Sequence, residues 1–362
     1  MPRKAAARLP QALMALFLCA GLAACGGKTT HNPRPNAGID GPPEDMGGGV
    51  TETTPAQQPS NPNRELTYEE VQLLLRNEVS AFNRLFETSL PLFAAGSRFC
   101  EGNIRPGLGF LHWNNEVYGP EYATEVTRIF GVDNKLSVRA VAPTSPAAKQ
   151  GLEVGDVIKR VGPEPIPAGA AGAEAFLRGF DADIDDGVVV LEIQRGSQTV
   201  TGRIRATPVC NYGVDILPDS NALETTIFND VLLVSLPMIG YAESDSELAT
   251  ILAYQMARDI QQRRRMRHAG RRGGTETNAM AEAELDQLAL YIAARAGHDL
   301  NLTADFLERL SKDRAAMAPW AQSMSPDRVA RINRIAQEIR ARKAAGLPLI
   351  PRPGTLPVPG ES

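Results

Sequence analysis

Residues 141–158 read VAPTSPAAKQGLEVGDVI, and this stretch decides how the middle of the chain folds. A strand ends at the turn around Pro143, and the following Ser-Pro-Ala-Ala opens a short helix. Gly151 closes that helix in the left-handed conformation, and Gly155-Asp156 turns the chain into a second strand. Because glycines stand where a positive φ is needed, the stretch predicts a compact unit of strand, helix and strand.

A second motif, Gly107-Leu108-Gly109-Phe110, lies upstream of this unit. In this order the two motifs resemble a PDZ domain of the permuted kind found in HtrA-type periplasmic proteases, over about residues 104–208. The resemblance implies an α+β fold, a β-sandwich or barrel with two helices. It also implies that successive backbone N–H groups of the motif bind the carboxylate of a peptide C-terminus, while the peptide adds a strand to the sheet.

The other elements of the PDZ-like segment follow from its pattern. Residues 168–180 predict the second helix, and residues 188–195 and 198–206 predict two strands around an Arg-Gly-Ser turn. The peptide groove is then expected to be lined by Gly107, Leu108, Gly109, Phe110, Phe176 and Leu177. Its partners would be protein or peptide C-termini. A PDZ-like domain that serves only for packing is the alternative.

A capping box, Ser244-Asp245-Ser246-Glu247, predicts the start of a long helix in the second half of the chain. The helix is expected to run to about Gln262, and it contains Tyr254-Gln255-Met256-Ala257-Arg258. Its sequence resembles that of the corresponding helix of peptidase family M forty-eight, the HtpX-like zinc metallopeptidases, in which His-Glu-x-x-His stands at these positions. The resemblance implies a mainly α-helical, gluzincin-like domain over about residues 211–350.

Further segments match that family in the same order. They are Asn221-Ala222 ahead of a predicted strand at 231–236, Glu282 to Asp286 on a later helix, Ala296 to Asp299 at its end, and Ser325 to Arg328. Helices are predicted over about residues 278–296, 303–317 and 325–345. The fold class is therefore multi-domain: a PDZ domain followed by a helical peptidase-like domain.

Carried over position by position, the resemblance places unsuitable residues in the metal site. Tyr254 and Arg258 fall on the two histidine ligands, Gln255 falls on the general base, and Glu282 falls on the third ligand. Two histidines and a glutamate between them are what a zincin needs to hold Zn²⁺ and to activate water. The four histidines, His31, His112, His268 and His298, are not placed to substitute. We therefore expect no catalytic residue, no metal and no cofactor.

Charge suggests what replaces the metal. Arg258 lies one helical turn from Tyr254, on the face that the family directs at the third ligand. We therefore expect its guanidinium to pair with Glu282, and with Asp286 beside it, because a buried carboxylate without a counter-charge carries a desolvation cost of several kcal/mol. An Arg258 that points to solvent is the alternative.

The first 24 residues have the pattern of a lipoprotein signal peptide. Arg3, Lys4 and Arg8 precede an apolar run that ends in Leu-Ala-Ala before Cys25. This box resembles the bacterial lipoprotein signal, which implies cleavage before Cys25 and lipid attachment to its thiol. An ordinary signal peptide with an incidental cysteine is the alternative. The protein is thus expected in the cell envelope, anchored to a membrane, with Gly26 a weak indication of the outer membrane and the bulk facing the periplasm.

Charge and cysteine content limit the kinds of partner and of site that the protein can have. Removal of the signal lowers the number of Lys and Arg residues from 38 to 35 against 42 Asp and Glu, so nucleic acid is an unsuitable partner. Once Cys19 leaves with the signal and Cys25 carries lipid, Cys100 and Cys210 remain. In an oxidising compartment two such residues predict a disulfide rather than a metal site.

The rest of the chain connects these parts. The expected division is a signal peptide (1–24), a disordered tether (25–64), a helical segment opened by a Thr67 capping box (65–103), the two domains (104–208 and 211–350) and a tail (351–362). The arginine-rich segment 263–272 is expected to be a solvated loop, with attraction to anionic lipid as the alternative.

Three functions remain open from the sequence. The first is a tethered envelope lipoprotein that binds peptide or protein segments without catalysis. The second is an active zinc metalloendopeptidase of envelope quality control that uses atypical ligands. The third is a scaffold that binds no free peptide.

Overall fold

The computed structural model describes residues 67–218, 220–268, 278–313, 316–317 and 324–350. It begins with a long helix, α1 (Tyr68–Gly96). The predicted capping box starts it: the Glu70 N–H donates to Thr67 Oγ1 at 3.3 Å, and the Thr67 N–H donates to Glu70 Oε2 at 2.8 Å. Because apolar residues recur at helical spacing, one face of α1 is buried along most of its length. No helix within the described ranges combines the length and the apolar character that crossing a bilayer requires.

The middle of the chain forms what we call the central sheet unit. Its strands follow the order β2-β3-β4-β6-β7, with β5 paired to β4. The bounds are β2 (Phe110–Trp113), β3 (Ser137–Val141), β4 (Val157–Val161), β5 (Glu164–Pro165), β6 (Val188–Arg195) and β7 (Gln198–Arg205), with helices α2 (Ala123–Phe130), α3 (Pro146–Lys149) and α4 (Ala171–Asp183). The fold is mixed helix and sheet.

The strand–helix–strand prediction for residues 141–158 is confirmed. Ser145 caps α3 by accepting a hydrogen bond from the Ala148 N–H at 3.1 Å, and Gly151 after the helix has φ +73°. The second helix begins three residues later than predicted. Gly169 has φ +78° and accepts a hydrogen bond from the Gly172 N–H, so the chain turns there before α4 can start.

A two-stranded neck leads into and out of the central sheet unit. It pairs β1 (Ile104–Gly107) with β8 (Thr207–Cys210), and Ile104 lies opposite Cys210. The predicted disulfide between Cys100 and Cys210 is present at the base of this neck, with the two Cα atoms 5.7 Å apart. The disulfide therefore joins Cys100, which precedes the neck, to Cys210, the last residue of β8.

The rest of the chain forms the helical unit. A small sheet has the order β10-β11-β9, in which β9 (Gly213–Leu217) is parallel to β11 (Val231–Ser235) and β10 (Thr225–Phe228) is antiparallel to it. The helices are α5 (Leu236–Tyr241), α6 (Asp245–His268), α7 (Asn278–Arg295), α8 (Thr303–Lys312) and α9 (Pro326–Ala344). Their buried faces share one core with the second half of α1.

Two sequence predictions about this unit are wrong, and one helix was missed. Helix α5 was not foreseen; Ser235 caps it, with Pro237 in its first turn. Helix α6 continues to His268 instead of ending near Gln262, because arginine is a good helix former and Arg263 pairs with Asp259 one turn back. Helix α8 ends at Lys312 rather than Met317, since Asp313 is extended and Ala316 bridges to Leu223 in the parallel sense.

Candidate functional site

The strand edge that the sequence assigns to peptide binding is β2. It is the last strand of its sheet, and no strand of the described ranges pairs with its outer edge. Phe110 lies opposite Val141, while the Ala142 N–H donates to the Gly109 carbonyl at 2.9 Å. In an antiparallel pair the hydrogen-bonding groups of successive residues alternate in direction. The N–H and carbonyl of Phe110 therefore point away from β3, towards the outer edge.

The loop before this strand is held by its carbonyl groups. The Leu108 carbonyl accepts a hydrogen bond from the Ala147 N–H at 2.9 Å. Gly109 has φ +94°, and a Cβ at this position would lie 2.2 Å from the Cβ of Ser145. Only glycine fits there without a shift of the loop or of α3. The Gly107 to Phe110 segment is thus a fixed turn packed against the first turn of α3.

Aromatic side chains form the floor beside the edge strand. The rings of Phe110 and Phe176 meet edge to face with centroids 5.8 Å apart, and the His112 ring lies 4.4 Å from that of Phe176. Leu108 is buried in the same core, and Leu177 is half-buried. Gly107 belongs to the neck, where it pairs with Thr207. The structure thus brings Leu108, Phe110 and Phe176 together.

Sequence reasoning missed His112 as a residue of this floor. The spacing of Phe110 and His112 could have indicated it, because residues two apart on a strand point to the same side. Burial lowers the pKa of His112 to about 4. The imidazole is therefore neutral near pH 7, and the floor is aromatic and uncharged.

The positions compared with a zinc site form a second constellation, which we call the Asp286 cluster. The Tyr254 hydroxyl donates to Asp286 Oδ1 at 3.0 Å. Arg328 donates to the same oxygen from Nη2 at 2.9 Å, and Arg331 donates to Oδ2 from Nη2 at 2.7 Å. Arg331 also donates to Glu282 Oε2 at 2.6 Å. Helices α6, α7 and α9 each contribute side chains, and the two arginines balance the two carboxylates.

Three side chains of the cluster are buried. Asp286 and Tyr254 are fully buried, and the Arg328 side chain is 2% exposed. Burial alone would lower the pKa of Arg328, but the hydrogen bonds and negative charge of Asp286 raise it above its ordinary value. Burial and the adjacent Asp286 raise the pKa of the Tyr254 phenol well above its usual range. Tyr254 therefore stays protonated and can only donate to the carboxylate.

The expected pair between Arg258 and Glu282 is wrong. Arg258 is exposed, and Arg331 and Arg328 lie against Glu282 instead. The reason is geometric, since Arg328 and Arg331 stand three residues apart on α9 and present one face to α7. Arg328 was noted in the sequence only as part of a matching segment, and Arg331 was missed although its spacing from Arg328 was a usable signal.

The residues of the Asp286 cluster do not fit a zinc ion. A zincin needs two imidazole nitrogens and a free carboxylate around one point. Here the Tyr254 hydroxyl donates a hydrogen bond to Asp286, and Glu282 is paired with Arg331. Gln255 is buried on α6 and carries an amide where a carboxylate would have to act as the base. The cluster is suited to holding three helices together rather than to activating water.

Several sequence predictions lie outside the described residues. These are the signal peptide (1–24), the lipidated Cys25, the tether (25–64) and the C-terminal tail (351–362).

No protein-family model and no curated protein matches the sequence. Among solved structures, the chain is similar to the crystal structure of the HtrA3 PDZ domain bound to a phage-derived ligand (FGRWV). The two are 23% identical, with a TM-score of 0.22, and the match covers 29% of this chain and 89% of that one. A TM-score this low does not transfer the binding properties of that domain to this chain.

Proposed function

We propose that this protein is a PDZ-type binder of peptide C-termini whose peptidase-like helical unit has no catalytic role. The observation that carries the proposal is the outer edge of β2, which directs the N–H and carbonyl of Phe110 outward beside a floor of Phe110, His112 and Phe176. An extended peptide can add to such an edge through its backbone. The turn at Gly107 to Phe110 then stands at the end of the strand, where a terminal carboxylate would lie.

Titration with a library of C-terminal peptides tests this function. Peptides with a free carboxylate should bind, and the same peptides with an amidated terminus should bind at least about tenfold more weakly, which corresponds to about 1.4 kcal/mol. Equal affinity for both forms would contradict carboxylate recognition. No binding by any peptide would favour the scaffold alternative.

A matched pair of glycine variants locates the site. Gly109→Ala introduces a Cβ against Ser145, so it should displace the turn and abolish peptide binding. Gly131→Ala makes the same change at another left-handed glycine, with φ +69° and no atom within 4 Å of the new Cβ. Both variants place an alanine at a positive φ, but only Gly109→Ala creates a clash, so the control should keep the wild-type affinity. Loss of binding in both would indicate a general loss of stability.

The Asp286 cluster supports the non-catalytic part of the proposal. Its carboxylates are bound by arginines on α9, so a rival function as an active zinc endopeptidase would require these ion pairs to break and new ligands to be recruited. Metal analysis of the purified protein, together with a test for chelator-sensitive cleavage of unfolded polypeptides, distinguishes a non-catalytic protein from a zinc endopeptidase. Stoichiometric zinc together with such cleavage would establish the endopeptidase function.

The membrane tether forms the third part of the proposal. Acylation at Cys25, followed by a long polar segment, would hold the domains off the surface of the outer membrane on its periplasmic side. Full-length protein should fractionate with membranes and incorporate labelled fatty acid, and Cys25→Ser should lose the label. A Cys25→Ser variant that still incorporates the label would show that the thiol is not the site of the anchor.

A further inference from the structure

The central sheet unit has a second open edge, which is strand β7 (Gln198–Arg205). It is the last strand in the order β2-β3-β4-β6-β7, and no strand of the described ranges pairs with its outer edge. It has eight residues against four in β2, and most of them are exposed. A long, open edge of this kind is a template for pairing with another strand.

Side-chain contacts hold the hairpin of β6 and β7 in place. Arg195, the last residue of β6, donates from Nε to Asp156 Oδ1 at 2.7 Å and from Nη2 to the Gly151 carbonyl at 2.7 Å. All eight residues of β7 pair with β6 in an unbroken register. Because β7 is already a regular strand, pairing at its outer edge costs little ordering entropy.

The register of the hairpin fixes which backbone groups face outward. The N–H of Ala206, directly after β7, donates to the Gly187 carbonyl at 2.9 Å, so it points to the side of β6. These directions alternate along an antiparallel strand. The N–H and carbonyl groups of Thr199, Thr201 and Arg203 therefore point away from β6, where a further strand would bind them.

One face of β7 carries an uncovered apolar side chain. Val200, Gly202 and Ile204 lie on the same face, because side chains two apart on a strand point to the same side. Ile204 is buried in the core of the central sheet unit, whereas Val200 is 40% exposed. A Cβ at Gly202 would have no atom within 4 Å. The apolar face of the sheet thus ends at β7 with an exposed valine beside an open space.

We infer that β7 pairs with β7 of a second copy of the chain, antiparallel about a two-fold axis at Thr201. In this register each Thr201 exchanges two hydrogen bonds with its counterpart, and Thr199 lies opposite Arg203 of the second copy. Val200 lies opposite Gly202 of the second copy, so the valine fills the open space. A two-fold pairing centred on Arg203 would place two arginines opposite each other and is disfavoured.

The charges on the other face of β7 fit the same register. Glu192 on β6 lies opposite Thr201, and Arg203 of the same chain is diagonal to it. In the pair, Arg203 of the second copy is diagonal to this glutamate from the other direction, about 12 Å away between Cα atoms by the spacing of strands. Each Glu192 then lies between two arginines, so opposite charges alternate across the axis.

The pairing is expected to be reversible. One strand and its copy bury less surface than the roughly 1,600 Å² of a standard interface. The dimer should therefore form at micromolar concentrations and dissociate on dilution. The inference does not depend on peptide binding, because β2 lies at the opposite end of the sheet.

Sedimentation of the full-length protein in detergent solution between roughly 1 and 100 µM tests the pairing. The parent should shift from monomer to dimer over this range. Thr201→Pro removes an N–H that points away from β6, so it should keep the fold and weaken the dimer at least about tenfold. Thr201→Val keeps this N–H and is the matched control, which should dimerise like the parent. A parent that stays monomeric, assemblies larger than a dimer, or a proline variant that dimerises as strongly would overturn the inference.

Cross-linking tests the register. Thr201→Cys, in a chain whose Cys19 and Cys25 are replaced by serine, should be joined to its counterpart by a short bismaleimide, since the two Cα atoms lie about 5.5 Å apart in a hydrogen-bonded pair. Arg205→Cys is the control, because its two copies are eight residue steps apart, or about 27 Å. Efficient cross-linking of Arg205→Cys, or none of Thr201→Cys, would overturn the inference even if Thr201→Pro fails to fold.

Discussion

At the scale of single residues, Tyr254 and Arg331 show how a cluster of charges can become a purely structural element. Arg331 reaches Asp286 and Glu282 together, and Tyr254 donates to Asp286 from the opposite helix. Such a buried network need not be more stabilising than apolar packing, but removing one member leaves an unpaired charge. The consequence can be measured by single substitutions.

Asp286→Ala should lower the free energy of unfolding by about 3–5 kcal/mol, because it removes the closer and fully buried counter-charge of the Arg328 guanidinium. Tyr254→Phe removes the hydrogen bond to Asp286 but no charge, and it should cost about 1–2 kcal/mol. Arg258→Ala is the control, since an exposed residue should change the value by less than about 0.5 kcal/mol. Urea unfolding followed by circular dichroism measures all three, and an Arg258 effect as large as that of Asp286 would contradict the arrangement.

His112 gives the fold a pH dependence whose sign follows from its burial. The folded chain releases the proton of His112 near pH 4, whereas the unfolded chain releases it near 6.5, so the unfolded state binds more protons in between. His112 therefore destabilises the fold as the pH falls from 6.5 to 4, by up to about 3 kcal/mol. Relative to the parent, His112→Gln should gain stability over this interval. Unfolding curves at pH 4.5 and 7 check this, and a difference between the two proteins that stays constant with pH would contradict it.

At the scale of elements, the neck of β1 and β8 is the feature that joins the parts. It carries the chain into and out of the central sheet unit, and the disulfide closes its base. Helix α1 runs beside it, so that Gly96 at the end of the helix approaches Cys210 and Met256 closely. A side chain at Gly96 would have to displace both sulfur-containing neighbours.

Removing the disulfide tests the neck. Replacing Cys100 and Cys210 by alanine should lower the free energy of unfolding by about 2–5 kcal/mol, because the bridge closes a long loop in the unfolded chain. Reduction of the parent under denaturing conditions should reproduce the loss, while the alanine variant should be insensitive to reductant. A variant as stable as the oxidised parent would show that the hydrogen bonds of the neck suffice.

At the scale of the whole molecule, α1 contributes side chains to two separate cores. Its first turns pack on Trp113 and Tyr118, and its later turns pack in the core of the helical unit. The core around Trp113 and the core of the helical unit therefore meet along one helix.

Chelators should not change the thermal stability of the protein. Because the Asp286 cluster is neutralised by arginines, treatment with EDTA should leave the thermal midpoint within about 1 °C of the untreated value, and added zinc should not raise it. Differential scanning calorimetry of the full-length protein checks this. A chelator-induced drop of several degrees would point to a structural metal elsewhere in the chain.

The sequence by itself determined the local structure. The capping box of α1, the Ser244 cap of the helix that carries Tyr254 and the Ser145 turn with Gly151 were predictable, since capping and turn chemistry depend on neighbouring residues. The hairpin of β6 and β7 and the pairing of Cys100 with Cys210 were predictable from turn residues and from cysteine counting. The absence of imidazoles at Tyr254 and Arg258 could likewise be read directly.

Only the tertiary structure decided which charges meet. The counter-ions of Asp286 come from α9, more than 40 residues away along the chain, and local spacing favoured the nearer Arg258. The position of Arg139 depends on a bulge that no sequence pattern predicted, and its hydrogen-bond partner Asn83 lies on α1. Ion pairs between distant elements depend on how helices and sheets pack, because electrostatic attraction acts on proximity in space and not on separation along the chain.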